Sequence, residues 1–385
     1  MWIKRGIALL MVLCTCFGLV ACGGGEAKDP YAASQADIDY LNSKYEGRVP
    51  YYGDLHDHSR DGLCEDGDTK FIRDWLPAMD ALDMDFQAMM NHHNICHMYS
   101  KDWDNSRLIG GSEPATNIID SKATDKSMHY NMIVPNAEAL ITVLQSIPKF
   151  NYTGGKNGVP NEQGWFDYAS FTTAEMQDLI QKIKDQGGLW VNVHPKQQMQ
   201  SDDPLDYWFA DYTGMEVFYI ARDNQETKDN YKLWTELLAM GKRLWATAGC
   251  DEHDLPRGKT LNVIYSEKKD GATYVSHLAK GDFVCGSVGI RMAIGDATMG
   301  GHTDFNGKRV VLSTGDFHSL SAVADHKYRV DVISDKGVVY SKEIALDTAY
   351  IAFDADESAS FYRVEVHDTS RRETLLAIGN PIWND

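Results

Sequence analysis

From about residue 40 to residue 286, short apolar runs alternate with longer stretches in which apolar side chains recur every three or four positions, a pattern of parallel α/β architecture. Phe71, Trp75, Met79 and Leu82 recur at helical spacing, and the strand-like Phe86-Gln87-Ala88-Met89-Met90 follows them. Thr172 and Glu175 form a capping box for a helix carrying Met176, Leu179, Ile180 and Ile183, which Gly187-Gly188 stops. Leu189-Trp190-Val191-Asn192-Val193 and Leu244-Trp245-Ala246-Thr247-Ala248 are apolar enough to be strands buried on both faces.

The texture changes twice. Residues 97–168 are polar and punctuated by glycine, which predicts an insertion that walls a site rather than a repeat of the main pattern. Beyond residue 289, Val310-Val311-Leu312-Ser313, Tyr328-Arg329-Val330-Asp331-Val332-Ile333, Gly337-Val338-Val339-Tyr340 and Phe361-Tyr362-Arg363-Val364-Glu365-Val366 read as short strands of a small β-sandwich.

Composition narrows the class. With 43% hydrophobic and 11% aromatic residues the 385-residue chain has enough apolar surface for two cores. A formal charge of −19 would repel a phosphate backbone, so nucleic acid is excluded as an expected partner. At the start, Lys4 and Arg5 precede an apolar run over residues 7–20 that is too short for a stable transmembrane helix and reads as an export signal. Leu19-Val20-Ala21-Cys22 is similar to the bacterial lipobox, which implies cleavage before Cys22 and its lipidation. The expected product is exported and lipid-anchored to a bacterial membrane, facing the periplasm or cell exterior. Glycine-rich residues 23–45 form the expected tether, with two domains following at 46–288 and 289–385. Cys64, Cys96, Cys250 and Cys285 form no CxxC pair and are expected to be mostly buried free thiols.

The chemistry lies in histidine and carboxylate clusters. A strand sends alternate side chains to one face, so His56 and His58 point the same way, and Asp251 and His253 repeat that spacing. Further candidates are Asp66, with Asp61 as its competitor, then His92 and His93, Glu113 in preference to Glu138, His129 and His194. Imidazole and carboxylate suit Zn, Mn and Fe, and six histidines with three carboxylates exceed what one tetrahedral ion can use. Two or three divalent ions are expected. His277, His302, His318, His326 and His367 lack a partner motif and are expected at the surface. No Walker-type phosphate loop and no G-x-S-x-G elbow occurs.

Over residues 51–285 these motifs resemble the PHP family, the polymerase and histidinol phosphatase metallohydrolases. Leu55-His56-Asp57-His58-Ser59 matches its L-H-x-H-[ST] stretch; Asn91-His92-His93-Asn94 matches T-D-H-[ND], with His92 in place of the usual Asp; His194-Pro195 and Asp251-Glu252-His253 match H-P and D-x-H. The resemblance implies a distorted (β/α)7 barrel, followed here by the all-β domain, and it implies metal ligation by His56, His58, Asp66, His93, Glu113, His129, His194, Asp251 and His253. His92, Lys196 or Arg257 would orient the substrate, the two cations being suited to clamp an anion.

The expected activity is hydrolysis of a small-molecule substrate, foremost a small phosphoester, through a metal-bridged hydroxide. A family branch with a C-terminal β domain, which residues 291–385 resemble, keeps an ester or carbamate/amide hydrolase as the alternative enzyme. A catalytically inactive surface binding lipoprotein is the non-enzymatic alternative.

Overall fold

Seven strands close the first part of the chain into a barrel in the computed structural model, which describes residues 29–61, 68–122, 126–154, 164–370 and 372–385. They are β1 (Val49–Asp57), β2 (Phe86–Met89), β3 (Leu108–Ser112), β4 (Met128–Val134), β5 (Leu189–Asn192), β6 (Thr213–Tyr219) and β7 (Leu244–Gly249). They neighbour one another in that order. All adjacent pairs are parallel except those of β4, which runs against both β3 and β5. Closure occurs beyond the strand ends: the Asp251 N–H donates to the His56 carbonyl at 2.7 Å, and the His58 N–H donates to that of Glu252 at 2.9 Å.

The strands buried on both faces are the predicted apolar runs. Every residue of β5, β6 and β7 is buried. Amphipathic helices cover the outside, including α2 (Ile72–Ala81), which buries Ile72, Trp75 and Met79, and α4 (Thr173–Asp185), which buries Met176, Leu179, Ile180 and Ile183. The capping box of α4 is reciprocal: Glu175 N–H donates to Thr172 Oγ1, and Thr172 N–H donates to Glu175 Oε2 at 2.8 Å.

The segment over residues 97–168 is not an insertion as expected. It supplies β3 and β4, two of the seven barrel strands, and the helix α3 (Ala137–Ser146). Gly110-Gly111 dilutes the apolar signal of β3, but the packing demands it: a Cβ at Gly111 would lie 2.3 Å from the Met132 carbonyl oxygen.

The sheet does not end with the barrel. β8 (Asn262–Ser266) pairs antiparallel with β1 and leads through β9 (Val284–Gly286) into the C-terminal strands. There β12 (Tyr328–Ser334), β13 (Gly337–Ile344), β15 (Phe361–Asp368) and β16 (Thr374–Asn384) face a second sheet containing β10 (Val288–Ile294), β11 (Arg309–Phe317) and β14 (Ala349–Asp354). Ile290, Met292, Val310 and Leu312 pack with Val330, Val332, Val364 and Val366 in one apolar core, the inward half of each alternating strand. The helix α1 (Gln35–Lys44) adds Leu41 to that core.

Two buried amides stitch the parts together. Asn262 accepts from the Ala248 N–H at 3.0 Å and donates to the Ala248 carbonyl at 2.8 Å, while Asn380 accepts from the Ala246 N–H at 2.7 Å. These side chains supply β7 with the partners that a neighbouring strand would otherwise give.

Cys96, Cys250 and Cys285 are free thiols, the last two buried; Cys64 and the lipobox Cys22 lie outside the described residues. No helix among the described residues is long and apolar enough to cross a membrane.

Candidate metal centre

Strand direction decides where each ligand candidate lands. His56 and His58 sit at the C-terminal end of β1, His92 beyond β2, Glu113 one residue past β3, His194 beyond β5, and Asp251 and His253 beyond β7. His129 lies near the beginning of β4, and because β4 is antiparallel its N-terminal end meets the same mouth of the barrel.

The side chains converge on Glu113, which is fully buried. Its Oε1 lies 2.8 Å from His129 Nδ1 and 3.1 Å from His194 Nε2; its Oε2 lies 3.1 Å from His56 Nε2, 3.2 Å from His58 Nε2 and 3.3 Å from His92 Nδ1. Asp251 Oδ1 is 3.0 Å from His58 Nε2 and 3.5 Å from both His56 Nε2 and His253 Nε2. Exposure rises outward: the His56 and His58 side chains are buried, that of His129 is 23% exposed and that of His253 32% exposed. The cluster therefore has a closed floor and an open face.

Burial alone would raise the Glu113 and Asp251 carboxyls and lower the His56 and His194 imidazoles, but the paired charges outweigh it. Glu113 is held well below the usual carboxylate range chiefly by His56 and His92, and Asp251 likewise by His56. Glu113, Asp251 and Glu216 raise His56, and Glu113 foremost raises His194. His253 is moved up to about 9 against its burial by hydrogen bonds with Asp251 and Asp68.

His93 does not join them. Its Nε2 accepts the Ala115 N–H at 2.9 Å, and its ring packs against Tyr168 with centroids 3.9 Å apart. Burial, then the neighbouring His92 and His129, bring it down to about 4. The structure thus corrects the expected ligand: His92, at the position where the family motif has Asp, points into the cluster, and His93 supports the backbone behind it. His93, His194 and Asp251 all have left-handed φ, at 49°, 28° and 53°. Such strained non-glycine backbone at three strand exits aims side chains that regular strand geometry would send elsewhere.

The remaining expected residues sort by contact. Asp66 lies outside the described residues. Its competitor Asp61 starts a helix instead, its Oδ2 accepting the Ile72 N–H at 2.6 Å and its Oδ1 the Ser100 hydroxyl at 2.6 Å. Lys196 donates to the Ser201 carbonyl and lies over the Tyr207 ring, and Arg257 pairs with Glu252 at 2.9 Å; both cations are spent on their own loops. His277 and His318 are buried rather than at the surface, His277 against Glu267 at 3.1 Å and His318 against the Asp83 carbonyl at 3.0 Å.

Three residues escaped the sequence reading. Glu216 reaches His56 Nδ1 with Oε1 at 3.0 Å and accepts the His194 N–H at 2.8 Å. The Tyr219 hydroxyl donates to Asp251 Oδ2 at 2.9 Å. Asp68 holds His253 Nδ1 at 2.7 Å. A lone carboxylate in the otherwise apolar Met215-Glu216-Val217-Phe218 run is the signal that marks Glu216, because a buried charge needs a partner.

The donors fit metal ions. Three overlapping groups have all their ligand atoms within 4.8 Å of one another: His56, His58, Glu113 and Asp251; His58, His92 and His253; and His92, Glu113 and His129. Nitrogen and carboxylate oxygen without sulfur are the donors of Zn, Mn and Fe sites. His58, His92 and Glu113 each belong to two of these groups.

No protein-family model matches the sequence, and neither does any curated protein. Among solved structures, the chain is similar to a two-domain protein from Bacteroides vulgatus ATCC 8482 that contains a predicted PHP-like metal-dependent phosphoesterase, with 13% identity and a TM-score of 0.40 over 93% of this chain and 100% of that one. It is also similar to an amidohydrolase from Chromobacterium violaceum, with 18% identity and a TM-score of 0.36 over 52% of this chain and 87% of that one. Both likenesses are distant, and the functional reading rests on the side chains.

Proposed function

We propose that this protein is a metal-dependent hydrolase of small phosphoesters. The observation that carries the proposal is Glu113, a buried carboxylate with five imidazole nitrogens within 3.3 Å. Divalent cations held there would supply Lewis-acid polarisation and acidify a water. Everything else is the work of the chain. Glu216 takes the Nδ1 side of His56 and Asp68 that of His253, so that each ring presents Nε2 to the centre. Tyr219 holds Asp251 from behind, and the exposed edge formed by His129 and His253 is where substrate enters.

The commitment of Lys196 and Arg257 to Ser201 and Glu252 favours a second reading, hydrolysis of an uncharged ester or carbamate, since no side-chain cation is assigned to clamp an anion. Turnover of p-nitrophenyl phosphate and p-nitrophenyl acetate by manganese- or zinc-loaded protein separates the two. Phosphate release abolished by chelator supports the first reading, and activity on the acetate alone supports the second. Retention of full metal content and turnover by His194→Ala would refute the metal centre. We also propose export and lipid anchoring at Cys22; metabolic labelling with a fatty acid, lost in Cys22→Ala, tests it.

A further inference from the structure

A cavity of about 330 Å³ lies apart from the metal centre, where β6 and the first turn of α5 (Gln225–Ala239) meet the turn between β15 and β16. Phe218 and Tyr219 are neighbours on β6, yet Tyr219 bonds Asp251 while Phe218 lines this cavity. The two sites thus sit on opposite faces of one strand.

Positive charge exceeds negative charge there. Arg222 reaches in from the exit of β6, and its hydrogen bonds go to two neutral groups, Ser287 Oγ at 2.7 Å and Ser321 Oγ at 2.8 Å, both through Nη1. Burial lowers its proton affinity, and the charges of Asp223 and Asp368 offset this only in part. Lys228 and Arg372, both exposed on the rim, make no ion pair among the described residues. Of the acidic lining residues, Glu373 is spent on Arg329 at 2.6 Å, which leaves Asp223. Three cations without an ion pair among the described residues face Asp223, with Asp368 acting on Arg222 as well, a local excess of positive charge in a chain of formal charge −19. Phe218, Leu375 and the Tyr231 ring form the apolar part of the lining, beside the polar Thr227, His367 and Thr374.

We propose that this cavity binds a small organic anion, a carboxylate or phosphate head carried on an apolar body, with Arg222, Lys228 and Arg372 facing the head and Phe218 and Leu375 the body. A guanidinium fork matches either head, and the volume falls at the lower end of small-molecule sites.

Isothermal titration of the metal-loaded, full-length protein with hexanoate, hexyl phosphate and neutral hexanamide tests this, the two anions distinguishing the heads. Arg222 also ties Ser287 to Ser321, so the informative variant is the surface pair Lys228→Ala with Arg372→Ala. At least one anion is expected to bind tenfold or more tightly than hexanamide, to weaken at least tenfold in the double variant and to be unchanged in His194→Ala. Binding of neither anion, equal binding of hexanamide, no loss in the double variant, or loss in His194→Ala would each overturn the proposal.

Discussion

Glu216 faces His56 across the barrel interior, its Oε1 3.0 Å from Nδ1, which leaves Nε2 turned toward Glu113. Its other oxygen accepts the His194 N–H, so one carboxylate sets the orientation of two ligand candidates. Glu216→Ala is expected to lower metal affinity about 10- to 100-fold, the usual cost of removing a partner behind a ligand. Metal titration of the two proteins under equal conditions reads this directly.

His92 and His93 are neighbours with opposite assignments. His92→Ala should reduce the metal content of purified protein, because its Nδ1 lies 3.3 Å from Glu113 Oε2. His93→Ala should keep full content and lose about 1–3 kcal/mol of stability, since the Ala115 N–H would lose its acceptor. Elemental analysis alongside thermal unfolding distinguishes them, and metal loss in His93→Ala alone would reverse the assignment.

Without metal, the raised proton affinities of His56, His194 and His253 mean that cations must displace protons. His253 is protonated below about 9, so apparent metal affinity should rise with pH up to that value and fall as pH drops. Calorimetry in buffers of different ionisation enthalpy should reveal proton release on binding. Free metal at about a hundred times its dissociation constant should add roughly 2.7 kcal/mol to stability, visible as a higher melting temperature.

In the C-terminal domain Arg363 and Glu365 are a buried ion pair that also engages the Tyr231 hydroxyl of the barrel at 2.5 Å. Burial alone would raise the Glu365 carboxyl; Arg363 foremost, with His367 and Tyr231, brings it down to about 2. A carboxyl lowered by folding stabilises above its unfolded value, near 4.5, and that contribution is lost as pH falls toward 2. Glu365→Ala should cost about 3–5 kcal/mol at neutral pH, because it leaves Arg363 buried without its charge partner. The variant should also show a shallower loss of stability between pH 4.5 and 2; parallel acid-unfolding curves would refute this role.

The barrel strands with continuous apolar runs were legible, as was most of the cluster of converging side chains, because His-x-His and D-x-H at strand ends follow the two-residue period of a strand. What escaped depends on departures from that period. The register slips between Glu216 and Phe218 where β6 pairs with β7, and this extra residue lets Glu216 and Tyr219, three apart, both face the centre. The exchange of His92 for His93 comes from a left-handed turn at His93, which a residue count cannot supply. β3 was hidden because Gly110 and Gly111, the second required by the close approach of the Met132 carbonyl, lower the apolar signal.

The amide of Asn380 has a consequence for anyone dissecting this molecule. It hands β7 hydrogen bonds from the final strand of the chain, and β7 leads straight to Asp251. A truncation after residue 288 would expose the raw flank of that strand and let the loop bearing Asp251 drift. The isolated barrel is therefore expected to be insoluble or inactive, however complete its own histidines are.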